Sequence, residues 1–184
     1  MTLKELDLIL RDAIEGNGGT CAFHKYQGFP GYNCISVNEC IIHGIPNDYV
    51  LKDGDSVTFD VGTEYKKHFC DAAFTIIVGE ASDEAIHIRD TARQAIDEAV
   101  KIIKPGVSTK KIAKVIEEYV KSEGYYLLHD FTGHGCGNQI HEDPAIPNYV
   151  TPFIPGFKLV ENMVICIEPM IMTDSRKFYM AENN

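Results

Sequence analysis

The chain lacks the features of three large protein classes, and each absence excludes a kind of function. It has no Lys/Arg block and a net charge of −10, so a surface that attracts nucleic acid is not expected. No apolar run approaches the roughly 18 residues that a membrane helix needs, so no membrane partner is expected. Its six Cys are scattered with no C-x-x-C pair, which argues against a structural zinc site built from thiolates. The composition therefore indicates an acidic globular protein.

The N-terminal segment also lacks the order of a secretory signal. The stretch MTLKELDLILRDAIEGNG is acidic and amphipathic, whereas a signal peptide has a basic stretch followed by an apolar one. Without such a signal we do not expect a disulfide framework, and the Cys are interpreted as reduced thiols. A cytoplasmic location is therefore expected.

Helix and strand patterns mix along the chain and predict an α+β fold, with residues 1–184 forming a single domain. Leu3, Leu6 and Leu10 lie at helical spacing, and Gly16 ends that helix. Ser82 and Ser108 are suitable N-caps for two further helices. The patterns predict helices over 3–15, 82–104 and 108–124, strands over 56–62, 69–79, 125–129 and 163–172, and short strands over 33–37 and 40–42. A loop rich in Gly and Pro joins the last two strands.

An internal repeat indicates two related halves, about 1–104 and 105–184. The stretch TLKELDLILRDAIEGNG, from Thr2, aligns with STKKIAKVIEEYVKSEG, from Ser108, at an offset of 106 residues. Further on, LKDGDSVTFD aligns with LVENMVICIE at an offset of 108 residues. One such helix match is often chance, but two in the same order at nearly one offset support a repeat. The repeat places Asp60 and Glu168 at the same point of each half, so we expect a site that straddles a pseudo-twofold axis.

Two carboxylates lie in apolar strands. Asp60 stands between Phe59 and Val61, and Asp71 lies in FCDAAFTIIVG. A carboxylate in an apolar strand costs several kcal/mol unless it is paired or bound to a cation. One such Asp is as readily explained by a structural salt bridge, but two on adjacent strands of a predicted hairpin need a shared counter-ion. The two Lys nearby fall in the turn and face water, so a divalent metal is the better explanation.

His134 and Glu168 extend this ligand set. His134 lies in TGHGCG, where glycines let the backbone bend closely around a site, although a lone His in such a loop is more often without function. Glu168 lies in VICIEPM, which is interpreted as another apolar strand that Pro169 interrupts. Two Asp, one His and one Glu form a mixed nitrogen and oxygen set, which suits Zn, Mn, Fe or Co better than Mg or Ca. Carboxylates able to bridge suggest two metals ~3.5–4 Å apart.

Two further His lie in similar motifs, one in each half. His43 is in HGIP and His141 is in HEDPAIP. An imidazole beside a metal centre can donate a hydrogen bond to a substrate carbonyl or leaving nitrogen. The alternative is that each His only caps a loop. The remaining His, which have no such context, are interpreted as solvent-facing or hydrogen-bonded: His24, His68, His87 and His129.

These motifs together resemble the type I methionine aminopeptidases, across essentially all 184 residues. The HGIP motif favours type I over type II, and SVNECIIHGIP disfavours the related X-Pro dipeptidases. The resemblance implies a pita-bread fold with two pseudo-twofold halves. The stretches that carry it are CISVNECIIHGIP, LKDGDSVTFDVG, FCDAAFTIIVG, TGHGCGNQIHEDP and ENMVICIEPM.

The resemblance also implies an activity and roles for the ligand residues. The family removes the initiator methionine from nascent proteins with two divalent metal ions, here Co, Mn, Fe or Zn. Asp60 and Asp71 are implied to hold one metal, with Asp71 bridging to the second. His134 and Glu168 are implied to complete the second metal's ligands, and Glu168 to act as the proton shuttle.

The substrate contacts follow from the same resemblance. His43 and His141 are implied to contact the scissile amide and its carbonyl. Tyr26, Phe29 and Cys34 are implied to line the pocket for the Met side chain. Phe29 stands where the family often has Tyr, and Ile140 where an aromatic residue is usual, so a somewhat altered pocket is expected. The implied partners are the N-terminal Met of nascent chains and the ribosome, and a monomer is expected.

The ends of the chain depart from the family pattern. The family has a fifth ligand, a bridging Glu on a strand well after the position of Glu168, whereas Glu182 lies in a polar tail. The family also continues before the position of Met1. We therefore expect a domain that is truncated at both ends, without its C-terminal strands and with impaired activity. The alternatives are an X-Pro dipeptidase-like enzyme and a non-catalytic binding protein on the same fold.

Overall fold

A computed structural model describes residues 1–174 and 178–181, so Glu182 lies outside the described residues. Their contacts form two compact units, the first from residues 1–86 and 137–140 and the second from residues 87–136, 141–174 and 178–181. The mixture of helices and antiparallel strands agrees with the predicted α+β class. The helices are α1 (Leu3–Gly16), α2 (Asp83–Val100) and α3 (Thr109–Ser122), and the strands are β1 (Thr20–Cys21), β2 (Cys34–Val37), β3 (Ser56–Tyr65), β4 (His68–Ile77), β5 (Tyr126–Leu127), β6 (Gly133–Gly135), β7 (Glu142–Ile146) and β8 (Ile171–Met172).

The first unit is built on a four-stranded antiparallel sheet with β3 at its centre. β3 pairs with β4 along its whole length, through a two-residue turn between Tyr65 and His68. On its other edge β3 pairs with β2, where Cys34 lies opposite Asp60, and then with β1. The predicted hairpin is therefore confirmed, and β3 extends three residues further than its predicted end at residue 62.

Alternation along the strands separates two faces of this sheet. Ile35, Val57 and Phe59 point to one face, where they form a buried core with Leu3 of α1. The helix begins at a capping box in which Thr2 and Glu5 satisfy each other's backbone N–H groups. The residues between those core positions point to the opposite face, which is therefore available for chemistry.

The second unit is organised around α3. Ile112, Ile116 and Val120 are fully buried on one side of that helix, against Ala95 and Ala99 of α2. Ser108 caps α3 as predicted, its hydroxyl accepting from the N–H of residue 110. Two small antiparallel ladders complete the unit, β6 with β7 and β5 with β8.

Two strand predictions are wrong. Residues 40–42 form no strand, because Asn38 takes a left-handed conformation (φ 52°) and the chain turns away from the sheet. Most of the strand expected over 163–172 is also absent, since only Ile171 and Met172 pair, with β5. Glu168 therefore lies outside any strand. Pro169 beside it has no N–H to contribute to a ladder.

Other elements differ in length or type from the prediction. The strand expected over 125–129 is reduced to the two residues of β5. α2 ends at Val100 and not near Lys104, because Ile102 and Ile103 donate to carbonyls only three residues back and tighten the last turn. His134 lies in the short strand β6, whereas a loop was expected. The division near residue 104 and the pseudo-twofold axis stay predictions.

Among the described residues, no helix combines the length and the apolar character that a membrane span requires.

Candidate metal centre

In the first unit, Asp60 and Asp71 lie on the same face of the β3–β4 hairpin. Asp60 pairs with Ala73, and Asp71 pairs with Gly62. Residues two apart on a strand, and residues paired across strands, share a face, so the two Asp are diagonal neighbours. Both are half-buried. The apolar residues beside Asp60 in the chain point to the opposite face, so the carboxylates are less desolvated than the sequence suggested.

Cys34 lies beside these carboxylates. It lies in β2, pairs with Asp60 of β3 and is 5% exposed. Burial raises the pKa of its thiol far above the ordinary value, and the charges of Asp60 and Asp71 raise it further. The Cys34 side chain is therefore a neutral, weakly polar thiol beside the carboxylates and not a thiolate ligand.

Phe23 is a residue of this face that the sequence analysis missed. Gly62 lies two residues after Asp60 and pairs with Asp71, so it is on the same face. A Cβ at Gly62 would stand 2.6 Å from the Phe23 ring. The ring therefore packs directly onto the backbone of β3, and only Gly leaves room for it. A Gly inside a strand is the signal that could have indicated such a close approach.

In the second unit, His134, His141 and Glu168 form a cluster. The Nε2 of His134 lies 3.2 Å from Oε1 of Glu168, and the ring centroids of His134 and His141 are 4.3 Å apart. The Nδ1 of His134 lies 2.8 Å from the carbonyl oxygen of Gly135, so it donates the ring proton there. In the neutral imidazole, Nε2 is then an acceptor that faces a carboxylate. Two acceptors at this distance favour a cation between them, and the donor set fits a divalent metal.

The backbone around this cluster is closely packed. A Cβ on Gly133 would collide with the carbonyl oxygen of Cys166, so the His134 strand and the Glu168 segment touch through their main chains. The N–H of Cys166 donates to the His134 carbonyl over 2.8 Å. The amide of Asn148, a residue that sequence reasoning missed, donates to the Glu168 carbonyl over 2.7 Å. Glu168 is therefore held by its backbone.

His43 is exposed and takes a left-handed conformation (φ 56°). It stands at the start of a segment that flanks β2, where Gly44 accepts from the Ile35 N–H over 2.9 Å and donates to Ser36 Oγ over 3.1 Å. A left-handed backbone is unfavourable for His and is often retained at functional sites. His141, also exposed, precedes β7.

The predicted pocket residues all lie in the first unit. Tyr26 begins a short 3-10 turn and is partly exposed, and Phe29 closes that turn with an N–H bond to the Tyr26 carbonyl. The Phe29 ring lies close to Gly31, where a Cβ would stand 3.0 Å from it. Ile140 is buried. Their contact with a substrate stays a prediction.

Of the remaining His, His24, His68 and His87 agree with the sequence interpretation. His24 lies 3.2 Å from the Gly31 carbonyl, and His87 lies 3.0 Å from a Glu123 oxygen. His129 stacks on Tyr149 with centroids 4.1 Å apart, and His68 is exposed.

The sequence profile of metallopeptidase family M24 matches residues 1–183 of the chain. The methionine aminopeptidase of Mycoplasma genitalium is 42% identical over 186 residues, which covers 99% of the chain and 73% of that relative.

Solved structures of methionine aminopeptidases and prolidases also resemble the chain. The crystal structure of methionine aminopeptidase from Thermotoga maritima matches with a TM-score of 0.94 at 36% identity, covering 98% of the chain and 73% of that protein. The prolidase from Pyrococcus horikoshii matches with a TM-score of 0.77 at 26% identity, covering 92% of the chain and 46% of the prolidase. The predicted pita-bread fold is confirmed by these neighbours.

Proposed function

The chain belongs to metallopeptidase family M24, and we propose that within this family it is a methionine aminopeptidase, which removes the initiator methionine from nascent proteins. The observation that carries the proposal is the pair of acceptors in the second unit, His134 Nε2 and Glu168 Oε1 at 3.2 Å. Such a pair is poorly accommodated without a cation and suits a metal of the Zn, Mn, Fe or Co type.

We propose that Asp60, Asp71, His134 and Glu168 together hold two divalent ions. The two Asp share one face of a rigid hairpin, and His134 is oriented by its Nδ1 contact with the Gly135 carbonyl. Side chains fixed in this way need little rearrangement to bind a metal ion. The bound metal would act as a Lewis acid on the peptide carbonyl.

The other steps belong to side chains of the protein. Glu168 accepts a proton from the attacking water and delivers it to the leaving amine. His141 donates a hydrogen bond to the developing oxyanion, and His43 contacts the scissile amide. The exposure of both imidazoles leaves them accessible to a substrate.

The side chain of the initiator Met is proposed to lie against Tyr26, Phe29 and Cys34. The neutral Cys34 thiol suits a thioether, because it adds no charge to an apolar pocket. Phe29 and Ile140, in place of the residues usual in the family, change the shape of the pocket without adding a charged group. The substrate is therefore proposed to be Met at a free N-terminus.

Further features are proposed on the resemblance alone. These are a single catalytic domain with two related halves, a monomeric state, a cytoplasmic location and an association with the ribosome. An X-Pro dipeptidase is not favoured, because the prolidase neighbour is less similar than the methionine aminopeptidases in both sequence and structure.

The proposal is tested with purified protein freed of metal by chelation and then supplied with Mn²⁺ or Co²⁺. A Met-Ala-Ser peptide should release free Met only after metal is added, and Asp71→Asn and His134→Ala should each lower the rate by at least 10²-fold. Glu161→Gln, a surface carboxylate of the second unit, is the matched control and should keep the wild-type rate. Cleavage of a Met-Pro dipeptide with no release of Met from Met-Ala-Ser would show an X-Pro dipeptidase instead.

A further inference from the structure

Asn148 is a buried residue that the proposed chemistry does not use. It lies just after β7 and is 1% exposed. Its Nδ2 donates to the backbone carbonyl of Glu168 over 2.7 Å. We propose that Asn148 is a positioning residue, which fixes Glu168 opposite His134 and thereby sets the affinity for the metal. The inference rests on the proposed function, since it takes Glu168 as a metal ligand.

The Glu168 segment needs such a contact because it has no strand to hold it. The next residue, Pro169, has no N–H, and residues 166–170 form no ladder. Three bonds take the place of a ladder. The N–H of Cys166 donates to the His134 carbonyl, and the N–H of Leu128 donates to the Met170 carbonyl over 2.9 Å. The Asn148 amide lies between these two bonds along the segment and is the one that holds Glu168 itself. Anchors on both sides and at Glu168 fix its main chain, so its carboxylate is directed toward His134.

Asn148 is itself held firmly. Ile146, the last residue of β7, is fully buried and pairs with Gly133 in β6. Tyr149 is buried on the other side and stacks on His129. The β6–β7 hairpin therefore carries both the His134 ligand and the amide that aims Glu168.

The orientation of the Asn148 amide also indicates that its Nδ2 group, and not its Oδ1, makes the contact that matters for Glu168. The Oδ1 of Asn148 is buried and has no hydrogen-bond partner among residues 1–174 and 178–181. Rotating the amide would turn Oδ1 toward the Glu168 carbonyl, where two acceptors would repel each other. An unsatisfied buried acceptor is unfavourable, so the Nδ2 bond to the Glu168 carbonyl is the contact that sets the orientation of this amide.

The matched control is Asn47, which follows Ile-Pro in the first unit just as Asn148 follows Ile-Pro in the second. The Oδ1 of Asn47 accepts from the Tyr49 N–H of its own loop, over 2.8 Å. Asn47→Ala therefore removes the same side chain from the same local sequence without touching the Glu168 segment.

The test measures Mn²⁺ affinity by calorimetry on metal-free protein, at a temperature where circular dichroism shows every variant folded. Asn148→Ala and Asn148→Asp should bind Mn²⁺ about 10- to 100-fold more weakly, because groups that orient a metal ligand have effects of this size. Asn47→Ala should bind as the wild type does. With Met-Ala-Ser, kcat should fall in the Asn148 variants while KM changes little.

Glu168→Gln separates the two possible failures. Wild-type Mn²⁺ affinity in Glu168→Gln would show that Glu168 is not a ligand, and the proposed site would fall together with this inference. Weak binding in Glu168→Gln but wild-type binding and kcat in Asn148→Ala would overturn only the role of Asn148. A melting temperature lowered in EDTA, with unchanged Mn²⁺ affinity, would show that Asn148 is merely structural. Should Asn148→Asp not fold, Asn148→Ala decides, since it introduces no buried charge.

Discussion

At the scale of single residues, the chemistry of each polar group is decided by which side of a strand it points to. Asp60 and the Phe59 beside it differ by one position in the chain, yet one is proposed to hold metal and the other is part of the core. The period of two in β3 and β4 made this arrangement predictable from the sequence. Asn148 was not predictable, because its partner, Glu168, is 20 residues away and the contact depends on folding.

Asp55 gives a prediction about acid stability. It is 6% exposed and accepts from Asn38 Nδ2, Tyr49 Oη and the Lys52 N–H. Burial alone would raise its pKa, but these hydrogen bonds outweigh burial and lower the pKa below the ordinary 3.8. A carboxylate with a lowered folded-state pKa stabilises the protein above its unfolded pKa and loses that contribution as the pH falls through the folded value.

Asp55→Asn should therefore lower the free energy of unfolding by about 1–3 kcal/mol at pH 7. The difference from wild type should shrink as the pH falls below about 4, the pKa of Asp in the unfolded chain, and toward the lower pKa that Asp55 has in the folded protein. Urea unfolding at pH 7 and pH 3 measures both values. Asp48→Asn, which breaks an exposed ion pair with Lys4, is the control and should change stability by less than about 0.5 kcal/mol. An equal loss in Asp55→Asn at both pH values would contradict this account.

The cysteines give a second prediction at this scale. Burial raises the pKa of Cys21 to about 11, and that of Cys34 is raised further by the same cause. Cys40 and Cys70 are exposed. Since the thiolate is the reactive form, iodoacetamide at pH 7.5 should label Cys40 and Cys70 well before Cys34. Peptide mass spectrometry over a time course identifies the order, and early labelling of Cys34 would disprove the buried neutral thiol.

At the scale of elements, local pattern predicted the helices and the β3–β4 hairpin but not the segment around Glu168. A helix such as α3 forms from the residues within it, and a hairpin pairs with its own neighbour, so both leave a signal in a short window. A strand at 163–168 would need a partner from elsewhere, and sequence pattern cannot show whether one is present. The apolar run therefore predicts a strand, whereas residues 163–168 of the described structure have one isolated bridge, at Ile165.

The turn between β3 and β4 gives a prediction for an element. Lys66 and Lys67 both take positive φ values, 51° and 67°, in a two-residue turn that favours Asn-Gly. The double variant Lys66→Asn/Lys67→Gly should raise the free energy of unfolding by about 1 kcal/mol, because it relieves this conformation. Chemical unfolding measures the gain. The variant Lys66→Ala/Lys67→Ala removes the same two charges without the relief, so an equal gain there would show that charge, and not backbone conformation, is responsible.

At the scale of the whole molecule, metal binding should appear as added stability. A ligand at 100 times its Kd stabilises the folded state by about 2.7 kcal/mol, which raises the melting temperature of a domain this size by about 5–10 °C. Mn²⁺ and Co²⁺ should produce the shift, while Mg²⁺ should not, since the mixed nitrogen and oxygen ligands disfavour it. His134→Ala should abolish the shift. A shift with Mg²⁺ as large as with Mn²⁺ would indicate binding to the acidic surface instead.

The two faces of β3 also bear on how the chain can change over evolutionary time. A substitution at Asp60 alters the proposed metal site without changing the core, and one at Phe59 alters the core without changing the proposed site. The insertion or deletion of a single residue before Asp60 is different in kind, because it moves every following side chain of the strand to the other face. Core and site would then be lost in one event. Changes of length within β3 should therefore be accepted only two residues at a time.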